Sequence, residues 1–259
     1  SSLNLLYLLG YSPSRNTFSA FGESDERFRV ADGIDLIPKA IANSLPAEKL
    51  HLGWFLKSIV RRSDGTYALT FENQGTVVAD IVIMTAPFAA LGNVDYGRAG
   101  FDALKDKAIR ELGAGHNGKM HLQFSQRLWN HNGSWGISGG SSYSDTGYQA
   151  TWEATRGQAG TAGIIVDYTG GQVTDALSQK HPYGNSSDSK VIQDARRFLE
   201  QVEPVFPGLA PLWNGRAAGA MPHLNRFWNC SYSYWRVGQY QTIAGYERVR
   251  QGNVFFAGE

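Results

Sequence analysis

At 259 residues the chain can hold one large domain or two modest ones. Hydrophobic residues make up 42% and charged residues 18%, and the net charge of +1 argues against nucleic-acid or acidic-membrane partners. No apolar run approaches the roughly 20 residues of a bilayer span, and the single cysteine, Cys230, excludes internal disulfides and a cysteine-based metal framework.

Residues 3–9, LNLLYLL, read as a short apolar helix that cannot bury itself alone, and 11–28 as polar, irregular chain. After Asp32-Gly33, the apolar positions Leu36, Ile37, Ala40, Ile41 and Leu45 fall at helical spacing. Residues 52–86 read as a β-meander. Leu56, Ile59 and Val60 lead to an Asp64-Gly65 turn, Tyr67, Leu69 and Phe71 alternate with polar residues, and Val77 to Met84 form a third run ending at Thr85-Ala86-Pro87.

Residues 101–112 carry a helical apolar stripe, with Gly113 placed as its C-cap. The stretch Gly113-Ala114-Gly115-His116-Asn117-Gly118-Lys119 then satisfies both GxGxxG and GxxxxGK. A phosphate loop needs a strand before it and a helix after it, so that helix N-terminal amides meet the phosphates. Here a helix precedes and a strand follows, and Met120 stands where a hydroxyl would bind Mg²⁺, so the match is one of spacing alone. In that strand Lys119, His121 and Gln123 share one face, and Met120, Leu122 and Phe124 the other.

Residues 130–187 are rich in Gly, Ser, Thr, Tyr and Trp, with strand-like pieces such as Ile164 to Tyr168 and long loops suited to covering a cavity. The histidines show no metal-ligand spacing, so no metal is expected, and no Ser-His-Asp grouping is evident. Residues 189–205 read as an amphipathic helix, capped by Asp188 or Ser189 and ended by Pro204 and Phe206-Pro207-Gly208. The last residues, Asn253 to Glu259, read as a short strand covered on both faces that runs into a tight turn. In nucleotide-binding sheets, ligands sit at the carboxyl ends of such strands.

Residues 245–259, GYERVRQGNVFFAGE, resemble the C-terminal flavin motif of the FAD-dependent amine oxidase family, which includes monoamine, polyamine and L-amino acid oxidases. Other stretches resemble that family's landmarks in the same order. They are the Val30 to Pro38 turn and helix start, with Asp32 in place of a glycine; the meander ending at Pro87; Lys119, Leu122, Phe124 and Trp129 in one spaced motif; Phe206-Pro207-Gly208; and Cys230-Ser231-Tyr232-Ser233, with Cys230 in place of a glycine.

The resemblance implies a mixed α/β fold in two parts. Residues 29–87 and 239–259 would form part of a Rossmann-like FAD-binding domain, and residues 1–28 and 88–238 a substrate domain with a mixed sheet and flanking helices. The family's N-terminal GxGxxG unit and the segment after the flavin motif have no counterpart in the sequence, so the chain is expected to be a fragment that alone neither holds FAD nor turns over. The implied cofactor is FAD, held non-covalently, because Ser231 rather than a cysteine immediately precedes Tyr232. Gly33, Leu56, Pro87, Gly258 and Glu259 would contact it. Lys119 and Tyr232 would carry the catalytic roles, a water held at flavin N5 and an aromatic wall, with Trp235 beside Tyr232 in the substrate cavity. The implied reaction takes hydride from the α-carbon of a neutral amine, releases an imine, and yields hydrogen peroxide from oxygen. The partners would be a small-molecule amine and oxygen. A homodimer is left open, as is the compartment, with a lean towards the cytoplasm. Porphyrinogen oxidases or carotenoid desaturases on the same scaffold, and a non-catalytic binding module, stay as alternative readings.

Overall fold

The structure, a computed structural model, describes residues 28, 30–133 and 136–258. The apolar stretch at 3–9 and Glu259 lie outside these residues. Two compact units, Ser1–Gly53 and Trp54–Glu259, are taken separately.

In the first unit, α1 (Leu36–Asn43) forms where the apolar spacing predicts it. Asp32 and Gly33 precede it with φ of 64° and 122°. Aspartate is one of the few residues that enters the left-handed region at modest cost, so it can stand in for a glycine at this turn. Lys39 pairs with Asp35 one helical turn away.

The second unit begins with the meander. Strands β1 (Leu56–Arg61), β2 (Tyr67–Phe71) and β3 (Gly75–Ala79) pair antiparallel. The third apolar run is not one strand. It breaks at Asp80-Ile81, and β4 (Val82–Met84) leaves the meander to pair in parallel with β14 (Val254–Phe256). Ala79 already meets Tyr67 at the end of β2, so the meander offers no further partner, whereas the Val82 amide finds the Asn253 carbonyl at 3.0 Å. The continuous apolar run at the C-terminus predicts cover on both faces. Among the described residues only one face is covered, with Val254 buried and Phe255 exposed.

A short helix α2 (Phe88–Leu91) follows β4, then β5 (Asp95–Arg98), which lies parallel to β1, and α3 (Ala103–Glu111). Asp102 caps α3 by accepting from the Lys105 amide at 2.8 Å. Gly113 is not the helix cap. It belongs to β6 (Gly113–Ala114), and Leu112 ends the helix with extended ψ.

The larger sheet has six strands. They are β7 (Asn117–Phe124), β8 (Ser142–Tyr143), β9 (Ala150–Glu153), β10 (Gly163–Gly170), β11 (Tyr183–Asn185) and β12 (Trp213–Ala220), in the order β11-β12-β7-β10-β9-β8. After β10 comes the short α4 (Gln172–Asp175), and after β11 the long α5 (Ser189–Val202), which Asp188 caps by accepting from the Lys190 amide at 2.8 Å. The apolar stripe of α5, from Val191 to Val202, packs with Leu122, Phe124, Trp129 and Ile165 in one core. A second core joins Ile59 and Tyr67 of the meander to Val82, Met84 and Val254. It also takes in Phe88, Leu91 and Ile109, so by packing the stretch through α3 goes with the meander. Last come β13 (Ser233–Tyr234) and α6 (Gln239–Ile243). No helix among the described residues is long and apolar enough to cross a membrane.

Candidate active site

Strand β7 alternates as its sequence requires, with Met120, Leu122 and Phe124 buried and Lys119 exposed. Lys119 stands opposite Tyr168 on β10 and Ala220 on β12. Its Nζ lies 5.6 Å from the Trp152 ring centre and 5.9 Å from that of Tyr168. Those two rings are 5.3 Å apart and tilted by 56°. The ammonium thus sits over two electron-rich faces, an attraction worth about 0.5–1 kcal/mol at an exposed site. His121 follows on the same face. Burial first, and then the neighbouring Lys119 charge, hold its pKa below the usual histidine range, so it is a neutral hydrogen-bonding group.

Tyr232 reaches this face from a distant part of the chain. Its hydroxyl is 3.1 Å from that of Tyr168. The segment before β13 lies along β6 and the turn that follows it. The Gly115 amide donates to the Tyr232 carbonyl at 2.8 Å, and the Ser231 amide donates to the Gly115 carbonyl at 2.7 Å. Ser231 Oγ also donates to Asn117 Oδ1 at 3.0 Å and accepts from the Asn117 amide at 3.1 Å. Two of the three glycines of the apparent nucleotide motif have their explanation here. A Cβ on Gly115 would lie 2.8 Å from Ser231 Oγ and 2.9 Å from the Tyr232 carbonyl oxygen, and one on Gly113 would lie 2.6 Å from the Tyr234 ring. They let the Tyr232 segment approach and form no phosphate loop.

A second group of expected residues surrounds an apolar cavity of about 250 Å³ at the carboxyl ends of β4 and β14. Trp235 and Gly258 both line it, together with Met84, Ala86, Phe256 and Ala257. Trp235 Nε1 donates to Glu247 Oε1 at 2.6 Å, and its ring meets Tyr240 edge-on at 5.2 Å. The Ala257 amide donates to the Met84 carbonyl at 3.1 Å, which continues the parallel pairing past the strand end. Gly258 has φ of 88°, so a side chain there is strained even though a Cβ would come no nearer than 3.5 Å to another atom, the Thr85 carbonyl oxygen.

The remaining expected residues are dispersed. Leu56 lines a separate apolar cavity of about 310 Å³, which shares Met84 and Ala86 with the first. Pro87 starts α2 directly after Ala86. Gly33 belongs to the Ser1–Gly53 unit, and Glu259 is outside the described residues. Tyr232 is not among the residues that line the Trp235 cavity. Cys230 is buried, with Ser231 between it and Tyr232.

One participant went unread in the sequence. Lys105 is fully buried beside the Trp235 cavity. Its Nζ donates to the Tyr246 and Glu247 carbonyls at 2.8 and 2.6 Å and lies 3.9 Å from the Phe256 ring centre. Burial pulls its pKa down to about 8, while Asp102 and Glu247 oppose the fall. A signal for it exists: on α3, position 105 falls within the Phe101, Leu104, Ala108 and Leu112 stripe, where a charge must find partners.

Comparison with known proteins shows the family and the fold. A family model described as flavin containing amine oxidoreductase matches residues 9–259. Polyamine oxidase 2 of Arabidopsis thaliana is 28% identical over 214 residues, 81% of this chain and 40% of that protein. The cyclohexylamine oxidase of Brevibacterium oxydans IH-35A superposes with a TM-score of 0.70 at 16% identity, over 87% of this chain and 47% of that one. A putrescine oxidase bound to putrescine superposes with a TM-score of 0.69 at 13% identity, also over 87% of this chain and 47% of that one. The chain therefore spans less than half the length of each of these proteins.

Proposed function

The chain belongs to the flavin containing amine oxidoreductase family, and from that premise we propose that the protein carrying it is an FAD-dependent oxidase of small amines. The observation that carries this reading is the meeting of Lys119 and Tyr232, far apart in sequence, on one aromatic face through the Tyr168 hydroxyl. The residues present fit a flavin. An apolar cavity opens at the carboxyl ends of two parallel strands, where ligands of such sheets bind, and Gly258 brings bare backbone to its edge. Gly33, Leu56, Pro87, Gly258 and Glu259 are the residues proposed to hold it, without a covalent bond.

The chemistry that a bound flavin supplies is removal of hydride from the carbon beside the amine nitrogen and its return, as electrons, to oxygen. The protein's own part is to bind, orient and exclude. The rings of Tyr232, Tyr168 and Trp152 give a substrate amine an electron-rich wall. Lys119 orients a water on that face and offers a positive charge where negative charge develops during oxygen reduction. Trp235, fixed by Glu247, lines the cavity that Gly258 also lines.

The test is a peroxide-release screen of the full-length protein over monoamines, polyamines and amino acids, with the flavin read by absorbance. A yellow protein that releases peroxide with one of these classes is expected, as is a colourless acid pellet with the flavin in the supernatant. A full-length protein without flavin would leave only a binding module on this fold. A flavin-loaded protein that oxidises none of the three amine classes would overturn the amine reading.

A further inference from the structure

We propose that His116, Asp175 and His223 form a binding site for a single first-row divalent metal ion of the Zn²⁺, Ni²⁺ or Cu²⁺ type. The site is independent of the flavin reading and uses none of its residues.

Three separate segments deliver the three side chains. His116 sits in the turn between β6 and β7, Asp175 is the last residue of α4, and His223 lies in the single 3-10 turn Pro222–Leu224. Backbone bonds fix the segments to one another. The Gly171 amide donates to the His116 carbonyl at 2.7 Å and the Asp175 amide to the Gly171 carbonyl at 3.0 Å, while β12, which leads into the Pro222–Leu224 turn, pairs Ala220 with Lys119 at the start of β7. One donor atom from each of the three side chains lies within 4.8 Å of the others. His116 Nδ1 is 2.8 Å from Asp175 Oδ1, and the two imidazole rings lie 4.7 Å apart and 15° from parallel.

The state of His223 points to a ligand. Its Nδ1 is buried and has no hydrogen-bond partner. An imidazole nitrogen that carries no proton has a lone pair to give. A buried polar atom with no partner is a cost, and a bound cation would remove it. Two imidazole nitrogens and one carboxylate oxygen suit the borderline-soft metals of the later first row, whereas Mg²⁺ and Ca²⁺ take oxygen ligands. Tetrahedral coordination at about 2.0–2.1 Å places ligand atoms roughly 3.4 Å apart, with one position left for water. Reaching that spacing requires the rings to tilt out of their stack so that both lone pairs converge. His116 and Asp175 are exposed, while the less exposed His223 supplies the fixed point. Lys180 Nζ is engaged by the Asp175 carbonyl at 3.1 Å rather than by the carboxylate. A metal here would pin α4 and the 3-10 turn to the start of β7, the strand that opens with Asn117-Gly118-Lys119.

The experiment strips the full-length protein with a chelator and titrates it with ZnCl₂ by calorimetry, then substitutes Co²⁺ and reads its visible absorption. One equivalent of Zn²⁺ should bind with a Kd below about 1 µM, and Co²⁺ should show the intense bands of four-coordination. His116→Ala and His223→Ala should each weaken binding at least tenfold. His181→Ala, which removes the other close histidine–aspartate contact, 2.6 Å from Asp188, should leave it unchanged. If His223→Ala does not fold, the exposed His116→Gln gives the same reading. No stoichiometric binding overturns the proposal, and so does binding that survives the loss of His116 unchanged.

Discussion

Two regions of the second unit each bury a charge, and they treat it differently. In the core shared by the meander and the C-terminal strand, the Lys105 ammonium donates to two carbonyls and lies against the Phe256 ring. In the core of the six-stranded sheet, Asp167 on β10 is equally hidden, yet its Oδ1 has no hydrogen-bond partner. Its neighbour Asp194 is answered by the Ser178 and Gln179 amides at 2.7 and 2.9 Å. Lys105 is therefore a joint: it fastens the Tyr246-Glu247 segment, and through Glu247 the Trp235 ring, to α3. Asp167 fastens nothing. It faces a cavity of about 270 Å³ shared with Asp194 and Arg197. Burial alone does not tell whether a charge supports a fold or burdens it; the partners do.

The largest test of this contrast is at Asp167. Burial pushes its pKa up to about 7, against which Arg197 acts only in part. Between the ordinary value of 3.8 and about 7 the folded chain holds a proton that the unfolded chain has lost. The contribution of Asp167 to stability is therefore greatest below pH 4 and is lost as pH rises through 7, by up to about 4 kcal/mol. Asp167→Asn keeps the shape and removes the charge. It should be more stable than the parent at pH 8 and should lose this part of the pH slope in urea unfolding at pH 5 and 8. An unchanged slope would mean that Asp167 has a partner after all, and the contrast between the two regions would collapse.

Lys105→Met should act in the opposite direction. It leaves the Glu247 carbonyl without this donor, leaves the Tyr246 carbonyl with the Val249 amide at 3.0 Å, and removes the cation from the Phe256 ring, a loss of about 2 kcal/mol at pH 7. The linkage also differs in sign. With a folded pKa of about 8 against 10.5, the unfolded chain binds more protons between those values, so the Lys105 contribution makes stability rise with pH across that window. The methionine variant should lose that rise. Denaturation between pH 7 and 10.5 reads both effects, and a variant as stable as the parent at pH 7 would reduce Lys105 to filler.

The two regions were also unequally legible. Alternation along Lys119 to Phe124 fixed the faces of β7, and the periodic stripe fixed α5, because local period alone decides which side of an element is covered. The spaced motifs named Lys119 and Tyr232, but their meeting depends on Tyr168, whose hydroxyl lies in a segment without a motif. The run from Val77 to Met84 hid its break at Asp80-Ile81, since a change of sheet leaves the hydrophobicity unchanged. The cluster of His116, Asp175 and His223 was beyond reach because each residue comes from a different element. Gly113 and Gly115 look like phosphate-loop glycines because close backbone approach requires the same residue whichever chain approaches.

A third substitution carries the comparison to the exposed lysine. Lys119 makes no ion pair among the described residues and touches only ring faces, so its loss should hardly affect folding. On the proposed reading it should affect rate. In Lys119→Met, reoxidation of the reduced full-length protein by oxygen should slow about a hundredfold, which is roughly 2.7 kcal/mol, with anaerobic reduction by substrate changed less. Lys105→Met moves stability and Lys119→Met moves rate. If both half-reactions keep their parent rates at normal flavin content, the amine-oxidase role of Lys119 fails while the structural role of Lys105 stands.

The smallest effect expected separates the wall from its support. Tyr232→Ala removes a ring and should cut amine turnover by more than tenfold, about 1.4 kcal/mol or more, with flavin retained. Tyr168→Phe keeps both rings, keeps a π-face near Lys119 and removes only the hydroxyl that meets Tyr232. A single neutral hydrogen bond at a partly exposed site contributes about 1 kcal/mol at most, so turnover should fall by about threefold to fivefold, mostly as a higher KM for the amine. The segment around Tyr232 would still be held by the Gly115 and Ser231 backbone pair, so the ring would stay near its place with more freedom. A loss in Tyr168→Phe as large as that in Tyr232→Ala would show that the hydroxyl pair, rather than the ring, does the positioning. No loss in either would move the wall to Trp235, whose ring is held by Glu247 and lines the cavity that Gly258 also lines.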